Sequence, residues 1–188
     1  MIGGFDSGPS GRPGPGEYAP YAADDIGYVA GDDAVAALLT QADRVMGLLT
    51  PLKEARIKGL RYAPEKWTIR EVLGHLIDDE RIFAYRALCV ARQDARPLPG
   101  FDENEYVRGA GFEARRWGSL LAEYMMVRHA TVAFFGGLPP SAWLHRGIVN
   151  GYEASVRGLA FHVAGHELHH LRVLEERYLP LIGMEQKP

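Results

Sequence analysis

The sequence predicts an all-α fold, an up-and-down four-helix bundle with an extended N-terminal strap, and three observations support that reading. Apolar residues recur at helical spacing in four long stretches. The ends of those stretches carry capping and stop signals, and no stretch sustains the alternation of a half-buried strand. The length, 188 residues, suits one ordinary domain. With 47% hydrophobic and 24% charged residues, a core of normal size needs no covalent staple.

Residues 1–20 are dense in Gly, Pro and Ser and are expected to form a flexible N-terminal segment, with the folded domain spanning 21–182. The stretch EYAPYAADDIGYV carries enough tyrosine and apolar surface to lie against the bundle as the strap. A first helix starts at an Asp32 or Asp33 cap, repeats Val35, Leu38, Ala42, Val45 and Leu49 on one face, and closes at Thr50-Pro51. A short extra helix then fits before Lys58-Gly59.

The second helix opens on a capping box, Thr68-Ile69-Arg70-Glu71, with Trp67 placed to staple against Val72, and runs to about Gln93. RPLPGFDENEY reads as a loop. The third helix is expected from about Glu113 to Phe135, ended by Gly136-Gly137 and Pro139-Pro140. After a loop through Gly147 to Gly151, the fourth runs from near Tyr152 to about Tyr178 and stops at Pro180.

Charge and composition exclude several classes. The net charge of −3 is spread along the chain, so no basic block points to nucleic acid. The apolar runs fall short of the roughly 20 residues needed to span a bilayer. The opening MIGGFDSGPSGRPGPG has neither the basic nor the apolar region of a secretory signal, so a cytoplasmic location is expected. Cys89 is the single cysteine, which rules out an intramolecular disulfide, and it reads as a small buried hydrophobe.

The chemistry is concentrated in histidines. Four of the seven fall between positions 162 and 170: His162, His166, His169 and His170. A lone histidine on an apolar face is usually a satisfied core residue, but His162, His166 and His170 succeed one another at four-residue intervals. Imidazoles at i and i+4 stand about 5–6 Å apart at Cβ and can close on one ion. A third ligand has to come from another helix, and His75, inside Leu73-Gly74-His75-Leu76-Ile77, is the candidate. Gly74 and Gly165 each precede a proposed ligand and would let neighbouring backbone approach.

Asp78 and Asp79 follow His75 by three and four residues, so either can orient a ring nitrogen. His162 is a reserve ligand or an outer partner, while His129 and His145 have no partner at ligand spacing. Tyr85 and Arg86, further along the same helix, can line a pocket or simply pack. His166-Glu167-Leu168-His169-His170 also matches H-E-x-x-H, the zincin protease motif in which Glu167 would be the general base. Against it, the metzincin extension is missing and no strand is available to hold a peptide.

Three segments, KWTIREVLGHLIDDERIFAYRAL, LPGFDENEYV and AGHELHHLRVLEERYLP, together with the opening GEYAPY, resemble the DinB-like superfamily across nearly the whole chain. The resemblance implies a DinB/YfiT-type bundle with a divalent metal, Zn²⁺ or Ni²⁺, on residues matching His75, His166 and His170, and a homodimer. Members include bacillithiol S-transferases of the YfiT-like branch, mycothiol-dependent maleylpyruvate isomerases and proteins described as metal-dependent hydrolases. The implied function is a metal-dependent enzyme that activates a low-molecular-weight thiol cosubstrate or water against a small electrophilic substrate. The family does not fix the position of Glu167. Two other readings stand beside this one: a non-catalytic metal-binding or stress-response bundle, and an H-E-x-x-H metalloprotease.

Overall fold

The computed structural model describes residues 11–184. The first ten residues of the expected flexible segment therefore lie outside the described residues. The rest of that segment packs on the bundle. Glu17 is buried, and its carboxylate accepts from Ser155 Oγ at 2.8 Å and Arg157 Nε at 2.6 Å. Arg12 donates to the carbonyls of Ile26, Val29 and Gly31, closing the end of a short helix, α1 (Ala23–Tyr28). The strap is thus present, but it is helical over these residues rather than extended.

Arg157 holds the Glu17 carboxyl well below its ordinary 4.5, at about 2, against the opposing effect of burial. A carboxyl with a depressed folded value stabilises the fold above about pH 4.5 and loses that contribution as the pH falls toward 2. Urea unfolding is expected to show a loss of about 2 kcal/mol from this group between pH 6 and pH 3. Glu17→Gln should be less stable at pH 6 and show a correspondingly flatter acid limb. An unchanged acid limb in the variant would refute this assignment.

Three of the four long helices open on side-chain caps. Asp33 accepts from the amides of Val35 and Ala36 to start α2 (Ala34–Leu49). After the short α3 (Glu54–Ile57), the capping box at Thr68 and Glu71 starts α4 (Ile69–Ala91), as its sequence signature predicts. The supposed loop RPLPGFDENEY holds a helix, α5 (Glu103–Ala110), capped by Asp102 and ended by Gly111 at φ +65°. It escapes a periodicity reading because Val107 is its only buried residue.

Next comes α6 (Trp117–Gly136), four residues later than expected. Glu113 is occupied elsewhere: its carboxylate accepts from Thr68 Oγ1 and the Gly59 amide, and its carbonyl accepts from Arg70. The expected loop before the last helix is a hairpin, β1 (Arg146–Val149) paired antiparallel with β2 (Tyr152–Ser155). Its two-residue turn is Asn150-Gly151, with φ of +51° and +80°. Ser155 then caps α7 (Val156–Val173). A π turn over Leu174–Tyr178 leads into α8 (Leu179–Met184). Pro180 follows the π turn by two residues and the helical path runs on through it, so it does not end the helix there.

Helices α2 and α4 each pack against both α6 and α7, giving the order α2, α6, α4, α7 around the bundle. The α2–α4 and α6–α7 connections therefore cross a diagonal, and the long segments 50–68 and 137–155 make that possible. Strap and bundle meet where α7 has no side chain. A Cβ on Gly158 would lie 2.0 Å from Glu17 O, and one on Gly165 would lie 2.2 Å from Asp25 O. Gly74 serves a side chain instead, the ring of Phe112, 2.4 Å from where a Cβ would be.

The core has two apolar halves, one around Leu38, Phe83, Phe135 and Phe161 and one around Leu49, Leu73, Leu120 and Leu171. Along α4, α6 and α7 the buried Asp79, Glu80, Arg128 and Glu167, with the half-buried His166, fall between residues of one half and residues of the other. No helix among the described residues is long and apolar enough to cross a membrane.

Candidate metal centre

Two helices supply three imidazoles. His75 extends from α4, and His166 and His170 stand one turn apart on α7, so one face of each helix suffices. His75 Nε2 and His170 Nε2 lie 3.2 and 3.1 Å from His166 Nε2. Among the described residues, these three form a group whose ligand atoms all fall within 4.8 Å of one another, and no fourth histidine, cysteine or carboxylate belongs to it.

Asp79 decides how His166 presents itself. Its Oδ2 lies 3.2 Å from His166 Nδ1, so Nδ1–H donates to the carboxylate and the Nε2 lone pair faces the other rings. Burial alone would lower the His166 pKa, but the Asp79 charge outweighs it and leaves the group raised. Burial, then proximity to His166, lowers His75 to about 4 and pushes His170 well below 6.5. Near neutral pH His75 and His170 are thus neutral, and with His166 they turn three Nε2 atoms toward one point. That donor set suits a divalent cation.

Trp67 was expected only as a staple, yet its ring lies 4.7 Å from His75 and is stacked 6.2 Å from His170. The buried Tyr178 holds it by donating to the Trp67 carbonyl. The residue before a capping box thus covers one flank of the site.

The other sequence candidates separate. Asp78 is half-buried and turns to Arg81, 3.6 Å away, rather than to the histidines. Glu167 is buried on the far side of α7. Its Oε1 and Oε2 accept from Arg128 at 3.1 and 2.6 Å, and Tyr124 Oη donates to it at 2.7 Å. The glutamate of the H-E-x-x-H match is therefore committed to Arg128 and Tyr124 rather than to the histidine cluster. His162 is buried against Phe83, with its ring 6.2 Å from that of His166, and burial lowers its pKa to about 4. His129 is exposed, and His145 Nδ1 lies 3.0 Å from the Ala91 carbonyl.

The family model of the DinB superfamily matches residues 37–174, a stretch that contains all three histidines. The chain belongs to the DinB superfamily. Its structure is also similar to that of YfiT from Bacillus subtilis, a protein described as a probable metal-dependent hydrolase with an unusual four-helix bundle topology. That likeness has a TM-score of 0.69 at 15% identity, covering 90% of this chain and 94% of the other. No curated protein sequence matches the chain.

In this DinB-superfamily bundle His166 and His170 border a cavity of about 350 Å³, walled also by Asp79, Phe83 and Arg86 of α4 and by His162 and His169 of α7. Tyr21, Asp25, Phe101, Glu103 and Asn150 complete it from the strap, the loop before α5, α5 itself and the hairpin turn. None of these five was a sequence candidate. The Asn-Gly turn signal could have placed Asn150 at a hairpin tip; the other four carry no local signal.

Of the two α4 residues left open, Arg86 is buried on the cavity, whereas Tyr85 is 56% exposed outside it. A second cavity of about 330 Å³ begins on the other side of His170, beneath Trp67 and Tyr62.

Proposed function

We propose that this protein is a metal-dependent enzyme in which His75, His166 and His170 hold a divalent ion, Zn²⁺ or Ni²⁺, at the head of the 350 Å³ cavity. The observation that carries this reading is the convergence of three Nε2 atoms, one fixed by Asp79, with no fourth protein ligand in the group among the described residues. A storage or structural site would be expected to close the shell with a fourth side chain, whereas a catalytic one keeps a position open. The description of YfiT as a probable metal-dependent hydrolase points the same way.

The bound ion would supply Lewis acidity, lowering the pKa of a water or low-molecular-weight thiol toward neutrality. The chain's own residues do the rest. Asp79 holds the His166 ring in its ligating tautomer, and Trp67 shields His75 and His170 from solvent. The cavity admits a small electrophile beside them.

The test starts from untagged protein. Metal analysis and Zn²⁺ or Ni²⁺ titration are expected to give about one ion per chain. The loaded protein is then assayed for loss of monobromobimane with cysteine as thiol, and for hydrolysis of small nitrophenyl esters. Turnover in either assay that a chelator abolishes supports the enzyme reading. Failure to take up metal would end it, and uptake without turnover would favour the non-catalytic module.

A further inference from the structure

Arg86 is 4% exposed, yet among the described residues no carboxylate oxygen lies within ion-pair distance of its guanidinium. Its hydrogen bond runs from Nη2 to the Pro99 carbonyl at 2.7 Å, and its Cζ lies 4.8 and 5.5 Å from the ring centres of Phe83 and Phe101. Two aromatic faces and one carbonyl hold the group in place, and the carboxylate whose charge acts on it most, Asp79, is bonded to His166 instead. Burying a charge that way is costly. The other buried arginines differ: Arg128 has two glutamates and Arg70 has Glu54. Arg86 also borders the cavity that contains His166 and His170.

We infer that Arg86 receives the carboxylate of a small organic acid bound in this cavity, an inference that rests on the enzyme reading and names its substrate class. The guanidinium fork matches a carboxylate in two parallel hydrogen bonds. Asn150 gives the cavity a further amide donor, its Nδ2 lying 3.3 Å from Tyr21 Oη. The charges nearby favour a monoanion over a dianion. Asp25, Asp79 and Glu103 already line the same cavity, and a phosphate would add two more negative charges to theirs. The remainder of the acid would then occupy the part of the cavity that His166 and His170 line.

The experiment is a titration of metal-loaded and chelator-treated protein with benzoate, butyrate, benzamide, butyramide and phenyl phosphate. It is followed by calorimetry and by the ¹⁵N resonances of the Arg86 side chain. At least one carboxylate is expected to bind tenfold or more tightly than its amide and to shift the Arg86 Nε–H signal. Arg86→Gln should abolish that preference at unchanged metal content, and Arg86→Lys should keep part of it.

Equal binding of acids and amides, no binding by any probe, or a preference that survives Arg86→Gln would each overturn the assignment. So would tighter binding of phenyl phosphate than of benzoate. If Arg86→Gln does not fold, the wild-type preference and the Arg86 resonance decide, and a resonance that does not move refutes the site. A preference that depends on Arg86 in protein that takes up no metal would uphold the anion site while the enzyme reading failed. A preference seen only with metal and indifferent to Arg86 would place the carboxylate on the ion and refute the inference.

Discussion

His166→Ala is expected to abolish metal uptake and also to destabilise the metal-free protein, whereas His170→Ala should abolish uptake with little effect on stability. Both remove one of three ligands. The loss of affinity should exceed the roughly 10–100-fold that follows from losing an outer partner. The difference lies behind the rings. His166 is the group that pairs with Asp79, and Asp79 is only 5% exposed. Without that imidazole the carboxylate stays buried with no donor, a cost of about 1–3 kcal/mol. His170 has no such dependent, and its neutral ring sits against His166 and Trp67. Metal analysis with urea unfolding of chelated protein separates the two effects. Equal stability in the two variants would show that Asp79 does not rely on His166.

Arg128→Met should be the most destabilising of the changes considered, by about 3–5 kcal/mol, while metal stoichiometry is retained. Arg128 is 1% exposed and joins all four long helices. It bonds Glu80 of α4 at 3.0 and 2.8 Å, Glu167 of α7 at 2.6 Å, and the Leu38 carbonyl of α2 at 2.8 Å. Two carboxylates share one guanidinium, and burial, with Glu80 nearby, pushes the Glu167 pKa up even with the arginine present. Methionine fills much of the volume but leaves both acids buried with no cation. Adding Glu80→Gln and Glu167→Gln to Arg128→Met should recover much of the loss, because the stranded charges go with it. A cost below about 1 kcal/mol in urea unfolding of the single variant would mean that the network contributes little.

This network also explains why H-E-x-x-H misleads in this chain. Asp79 and Glu80 are consecutive on α4, as are His166 and Glu167 on α7. In each pair the first residue turns to the histidine cluster and the second to Arg128. The motif's spacing is local and readable, but the partner that claims Glu167 comes from α6, 39 residues away. The choice between Asp78 and Asp79 has the same character. Spacing from His75 admits either, and only the packing of α7 against α4 brings His166 to Asp79. Asn150 was within reach, since Asn-Gly is a strong hairpin signal, but the lack of a clear alternation in the flanking residues hid it.

Taken alone, the sequence determined the helical class, the capped starts of α2 and α4, and the pairing of His166 with His170. All of these rest on interactions within a few residues of chain, where spacing maps directly onto geometry. An apolar setting on another helix made His75 the candidate third ligand, and the family resemblance implied the same residue. The tertiary structure decided the diagonal order of the helices, the seating of the strap on Gly158 and Gly165, and the division of acids between two sites. It also decided the assembly of the cavity from Tyr21, Arg86, Phe101 and Asn150. Those features join residues far apart in the chain, and no local periodicity records which side chain will meet a partner across a packed bundle.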